Sequence, residues 1–329
     1  MITVKRQDIA AFLRGWGLIF IIALIAVVAT VIRPAFMSGT NILNILRAYS
    51  SIGVAAMGMT YVVIGGTMDL AIGSTISLSA VISMRIINGT VVDNYSPAYA
   101  AITALAVGIL IGCAVGIING GIIAAVIGRL GESFIITFAM QIVIAALALI
   151  VVSGEFQAAK YQSGLFKDMG IEYAPIIIFL IIVAIMQFFL WKSKFGRNLY
   201  FLGANMNAAK MAGIKIKTLR ITAHTICGAC AGLTGVLIAS RVNSASPLQG
   251  VGYELDALAA VAVGGTSLAG GNGSVVRTML GVLVIGVMLN ALNIIGVDSH
   301  LQLVARGGVI ILAVIMDEWN KRAKLRQGG

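Results

Sequence analysis

The side chains that could do chemistry are few in this chain of 329 residues, and they stand far apart. Only two histidines occur. His224 lies near the start of an apolar run and His300 in a short turn, so they are not placed to share a metal and read as a helix-end and a turn residue. Cys227 and Cys230 have the CxxC spacing of a redox pair. Gly228, Ala229 and Ala231 around them are instead the small residues that let membrane helices approach closely, and Cys113 also sits in an apolar run. There is no HExxH, no GxSxG and no P-loop, since Gly is nowhere followed by Lys. The cluster Gly270, Gly271, Gly273 therefore lacks the lysine that would hold a phosphate.

A carrier driven by protons or ions places ionisable groups inside the membrane. Asp69 follows Gly65-Gly66-Thr67-Met68 and reads as the N-cap of the next helix, and Glu254 and Asp256 open a short run in the same way. Arg47 and Arg306 fall within apolar runs with no identifiable acid partner. No chain of buried acids emerges. The chain is read as not an enzyme, with its energy supplied by another polypeptide.

The elements that carry these residues are membrane helices. Hydrophobic residues make up 59% of the chain and charged ones 11%, and the mean hydropathy is +1.01. A soluble domain carries about a quarter charged residues, so lipid must cover much of this surface. The net charge of +11 sits at the ends of apolar runs, which argues against nucleic acid. Runs appear at 16–36, 42–64, 70–87, 98–127, 133–153, 174–192, 218–239, 256–268, 276–297 and 301–316. The first follows Lys5, Arg6 and Arg14 but ends at Arg33-Pro34 without a small-residue cleavage site, so it reads as a retained helix.

A crossing needs about 20 residues, and the 256–268 run reaches only about 20 Å. Charge placement decides whether it crosses. With ten crossings and both termini cytoplasmic, Lys5, Arg6, Arg14, Arg129, Lys192, Lys194, Arg197, Lys210, Lys215, Lys217, Arg220, Arg277, Lys321, Arg322, Lys324 and Arg326 fall inside. Arg33, Arg85, Lys160, Lys167 and Arg241 fall outside. If 256–268 re-entered instead, the basic tail would move outside, against the positive-inside tendency. The run is expected to cross as a short or broken helix shielded by protein. The expected fold is an all-α polytopic membrane protein of about ten helices, with nine to eleven tolerated, in one domain over 1–329. Its external loops are 88–97, 154–173 and 240–255, and its main cytoplasmic loop is 193–217.

Gly108, Gly112, Gly116 and Gly120 recur along one helix face and predict a close helix contact, with Asn119 the only polar neighbour. Gly65-Gly66-Thr67…Gly73-Ser74 is echoed by Gly264-Gly265-Thr266…Gly273-Ser274, a match short enough for coincidence in a glycine-rich chain. In the basic 193–217 segment, Asn205 to Ala212 can form a short helix, with Asn205 as N-cap and Gly213 as stop. It would offer Met206, Ala209 and Met211 to a groove in a partner protein, or rest on lipid.

Three stretches carry a family resemblance. Asn207-Ala208-Ala209 and Gly213 resemble the EAA…G loop of importer permeases of the ATP-binding-cassette (ABC) class, with Asn in place of the usual Glu. Gly65-Gly66-Thr67-Met68-Asp69-Leu70-Ala71-Ile72-Gly73-Ser74 resembles the GG-x-DLS-x-GS stretch of ribose-type sugar permeases, with Ala71 where Ser is common. The stretch from Tyr253-Glu254-Leu255-Asp256 through Gly264-Gly265-Thr266 to Gly270-Gly271 resembles the same family.

The resemblance implies a permease subunit of a bacterial ABC importer in the cytoplasmic (inner) membrane, moving a ribose-like pentose or a hexose. It implies an ABC ATPase that binds ATP and Mg, an external sugar-binding protein, and a second permease copy or homologue, with no cofactor in this chain. Asn205, Asn207, Ala208, Ala209, Lys210 and Gly213 would then belong to the coupling helix seated in the ATPase, and Gly65, Gly66, Asp69, Gly73, Gly264 and Gly265 to the family motifs. Asn44, Gln141, Asn290 and Asn293 are candidates for the sugar path, and Lys160, Lys167 and Arg241 for docking the binding protein. The competing reading is a secondary transporter or channel that acts without an ATPase.

Overall fold

The computed structural model describes residues 2–92, 96–126, 130–160 and 164–327. Arg129 and positions 93–95 and 161–163 of the two expected external loops lie outside the described residues, as do the side chains of Lys5, Arg6, Arg14, Lys321, Arg322, Lys324 and Arg326. The elements are α1 (Ile2–Ile32), α2 (Gly39–Ile64), α3 (Ile72–Val92), α4 (Pro97–Val126), α5 (Leu130–Val151), β1 (Gln157–Ala158), α6 (Gly164–Asp168), α7 (Ala174–Lys192), α8 (Lys194–Ala204), α9 (Met206–Met211), α10 (Ile216–Val242), β2 (Ser244–Ala245), α11 (Tyr253–Val263), α12 (Val275–Ile295) and α13 (Ser299–Gln327). All ten apolar runs coincide with helices, namely α1 to α5, α7 and α10 to α13.

The protein is an all-helical, multi-pass membrane protein. Among the described residues, six helices are long and apolar enough to cross a membrane: α2, α4, α5, α7, α10 and α12. Apolar stretches of α1 (Gly17–Ile32) and α13 (Ser299–Ile315) are shorter. Helix α3 falls short on composition, and burial explains why. Its Ser74, Thr75, Ser77, Ser79 and Ser83 are all buried. Ser79 and Ser83 donate to the Gly108 and Ala104 carbonyls of α4, and Ser77 accepts from Gly250 N–H. A helix wrapped by protein needs no apolar exterior. Helix α11 is 11 residues long and packs against α2, α12 and α13.

The glycine ladder is a helix contact, as its spacing predicts. A Cβ on Gly112 would strike the backbone of Gly228, one on Gly116 that of His224 and Thr225, and one on Gly120 the Cα of Ile221. Helices α4 and α10 therefore meet backbone to backbone. Cys227 and Cys230 are buried on α10 beside this contact.

The Gly-Gly-Thr echo is a true structural duplication. Helix α2 stops at Gly65 and α11 at Gly264, both right-handed caps. The next glycines, Gly66 and Gly265, take φ of 78° and 79°. Thr67 N–H then closes on the Val62 carbonyl and Thr266 N–H on the Val261 carbonyl, at 3.1 Å in each case. This is the Schellman stop, made twice. The two loops also touch, since Gly271 N–H donates to the Ile64 carbonyl at 2.9 Å. A Cβ on Gly203 at the end of α8 would strike both of those groups. One end of the bundle, the α9 end, is thus knotted around a backbone junction of Gly66, Gly203, Gly270 and Gly271. At the other end β1 and β2 pair antiparallel, Gln157 opposite Ala245 and Ala158 opposite Ser244.

Candidate functional site

The segment 193–217 forms two helices, not one. Ser193 caps α8 by accepting from Gly196 N–H at 3.0 Å, and Gly196, Leu199 and Leu202 bury one face. That spacing of three was legible in the sequence but masked by the polar residues between. Tyr200 donates to the Gly273 carbonyl at 2.7 Å, which ties α8 to the second Gly-Gly-Thr loop. Burial pushes its phenol pKa up, so it remains a donor.

Helix α9 has the caps its sequence predicts. Asn205 Oδ1 accepts from Ala208 N–H at 3.0 Å. Gly213, at φ 74°, turns the chain so that its own N–H reaches the Lys210 carbonyl and Ile214 N–H the Ala209 carbonyl. The apolar knobs are redistributed. Ala209 is fully buried against the bundle, and Met206 is half-buried with its Sδ accepting from Arg220 Nη2 at 3.4 Å. Met211 alone points away, at 89% exposed. Around it Asn205, Asn207, Lys210, Ala212 and Gly213 are exposed, while Ala208 is half-buried. A cleft of about 470 Å³ opens between the Gly213 turn and the start of α10, lined by Phe195, Asn198, Ile214 and Leu219 among others.

Beneath the first Gly-Gly-Thr loop lies a polar cluster that the sequence scattered. His224 is fully buried in α10 and is not a helix-end residue. Its Nδ1 lies 3.2 Å from Asp69 Oδ2, and its Nε2 lies 3.2 Å from Thr67 Oγ1. Asp69 also accepts from Ala71 N–H at 2.9 Å and from Asn119 Nδ2; Ala71 rather than Asp69 holds the cap position of α3, so Asp69 closes the turn before the helix instead of capping it. Met68 and Leu70 N–H donate to Ser133 and Thr137 of α5. The loop is therefore fixed by side chains from α4, α5 and α10.

The four path candidates do not assemble. Asn290 exchanges amide hydrogen bonds with Asn41, at 3.0 and 3.1 Å. Gln141 donates to Glu254 Oε1 at 3.3 Å, and Asn44 and Asn293 are exposed near helix ends. Nor do the basic docking candidates share one element. Lys160 is exposed beside a cavity of about 490 Å³ lined by Arg85, Asn88, Glu155 and Gln157. Lys167 lies on α6, and Arg241 is half-buried at the end of α10. The two arginines left unpaired in the sequence find acids: Arg47 Nη2 meets Glu172 at 3.3 Å, and Arg306 Nε meets Asp256 Oδ1 at 3.0 Å. Glu172 gave no signal because it stands in a loop far away in sequence.

Comparison with known proteins covers nearly the whole chain. The family model described as branched-chain amino acid transport system / permease component matches residues 41–314. The ribose import permease protein RbsC of Escherichia coli (strain K12) is 34% identical over 319 residues, 93% of this chain and 95% of that protein. The protein of the same name from Bacillus subtilis (strain 168) is 35% identical over 318 residues, 95% of each. The D-allose transport system permease protein AlsC of Escherichia coli (strain K12) is 32% identical over 321 residues, 95% of this chain and 94% of that protein. No solved structure matches.

Proposed function

Because the chain belongs to the family of branched-chain amino acid transport system permease components, and its relatives named above carry sugars, we propose that it is the membrane permease of an ABC importer for a monosaccharide. It works with an ATPase that binds ATP and Mg, with an external sugar-binding protein, and with a second permease as its dimer partner. In this reading the ten helices cross the membrane with both termini and the α9 end in the cytoplasm, and the β1–β2 end faces outward. Helix α9 is then the coupling helix.

The observation that best supports this assignment is the build of α9. It is rigidly capped at both ends, anchored by Ala209, and still presents an 89% exposed Met211 beside a cleft. An exposed large apolar side chain on a fixed helix suits a partner groove. Motion of that partner would pass through α8 to the junction of Gly66, Gly203, Gly270 and Gly271, and so to both helices that end in the duplicated stop. The test is co-purification of the genetically linked ATPase on this chain, with ATP hydrolysis stimulated by the sugar-loaded binding protein. Failure of the ATPase to bind the intact chain would refute the assignment.

A further inference from the structure

Among the described residues, nine buried side-chain N and O atoms lack a hydrogen-bond partner, and four of them gather around the start of α11. They are Glu254 Oε2, Asp256 Oδ1, Arg306 Nε and Arg241 Nε. Arg306 Nε and Asp256 Oδ1 lie 3.0 Å apart without hydrogen-bond alignment, so charge holds the pair and both atoms keep capacity for another partner. Glu254 Oε1 is occupied by Gln141 Nε2 and Gly252 N–H, which leaves Oε2 over. Gly73 gives that oxygen its room, since a Cβ there would strike it. Tyr253 opens α11 next to Glu254, and Tyr49 lies on α2, which packs against α11.

This cluster lies deep in the bundle. Gly250, just before α11, donates to Ser77 Oγ at 2.8 Å, and Ser77 stands about 22 Å along α3 from its Val92 end and about 7 Å from its Ile72 end. Asp256 is 4% exposed and Arg306 23%, while both tyrosines and Arg241 are half-buried, so access to the cluster runs through Arg306, Arg241 and the tyrosines. An ion pair at that depth faces a wet passage or a protein partner, not hydrocarbon. The ring holds two carboxylates and two guanidiniums, so a neutral ligand meets no net charge, while an ion of either sign would meet a like-charged pair. Carboxylates accept, guanidiniums donate and phenols do both, which are the groups that meet the hydroxyls of a polyol.

We propose that Tyr49, Tyr253, Glu254, Asp256, Arg241 and Arg306 form a contact station for a neutral polyhydroxylated sugar on its way through the permease. The station rests on the importer reading above. Its test uses proteoliposomes holding permease, ATPase and binding protein, with labelled D-ribose, D-allose and L-arabinose as probes. Unsubstituted protein should hydrolyse ATP under binding-protein stimulation and take up at least one probe. Tyr253→Phe should keep that stimulation but lower uptake per ATP by about three- to tenfold, the worth of one hydrogen bond. Asp256→Asn should lower it by about tenfold or more. Unchanged uptake per ATP in both variants overturns the station while leaving the importer intact. Absence of stimulation and uptake in the unsubstituted complex overturns the importer reading, and the station with it. Independently, Tyr49→Cys should react with a membrane-impermeant thiol reagent and be protected by the transported sugar. Labelling by lipid-soluble reagents alone would place the ring against lipid and overturn the proposal.

Discussion

Replacing Gly203 with alanine perturbs the junction at a single atom. The new Cβ would press on the Ile64 carbonyl oxygen and the Gly271 amide, at separations real Cβ atoms essentially never show. Both obstacles are backbone, so neither can swing aside as a side chain would. Overpacking of this kind costs about 1–3 kcal/mol. The shift also strains the 2.9 Å Gly271 N–H to Ile64 bond, worth about 1 kcal/mol. The expected total is about 2–4 kcal/mol. Gly121→Ala is the matched control, since nothing lies within 4 Å of its added Cβ. There alanine should be neutral or stabilising by up to about 1 kcal/mol, because it relieves the entropy cost of glycine in a helix. Unfolding in detergent would be compared for both variants, together with sugar taken up per ATP hydrolysed in the reconstituted complex. Gly203→Ala should lower the unfolding midpoint and uncouple hydrolysis from uptake. Equal midpoints and equal coupling in the two variants would refute the view that this junction joins α8 to both duplicated loops.

Two further predictions follow the same reasoning. His224→Leu leaves the buried Asp69 carboxylate without its imidazole hydrogen-bond partner and should destabilise by about 1–3 kcal/mol, whereas adding Asp69→Asn should recover part of that loss; a thermal double-mutant cycle without coupling would refute the pairing. Asn205→Ala removes the α9 cap at a cost of about 1 kcal/mol, which should weaken ATPase co-purification while lowering the unfolding midpoint only slightly, and Asn205→Asp should restore both; unchanged co-purification would show that α9 is not the docking element.

Much of this fold was legible because a membrane forces a simple rule: long apolar runs become helices. The runs were placed well, and the glycine ladder gave the α4–α10 contact because only a backbone approach needs glycine at every fourth position. The short run became α11 because a helix sheltered by α2, α12 and α13 need not span alone. What sequence hid is what depends on neighbours distant in the chain. His224 read as a helix-end residue because nothing local shows that Asp69 and Thr67 close over it. Gln141 and Asn290 looked free because Glu254 and Asn41 lie more than a hundred residues away. The Gly-Gly-Thr echo looked accidental until both copies proved to make the same stop and to touch each other. Glu254 and Asp256 looked like helix caps, but Gly252 holds the cap position, Glu254 meets Gln141 and Asp256 meets Arg306.

In the importer reading this permease moves a sugar with work done on ATP by another protein. Sugar uptake into proteoliposomes tests it most directly, measured with this chain alone, with chain plus ATPase and binding protein, and with the same complex given a non-hydrolysable ATP analogue. Accumulation is expected only in the complete complex supplied with hydrolysable ATP. Accumulation by the chain alone, or equal uptake with the analogue, would contradict it.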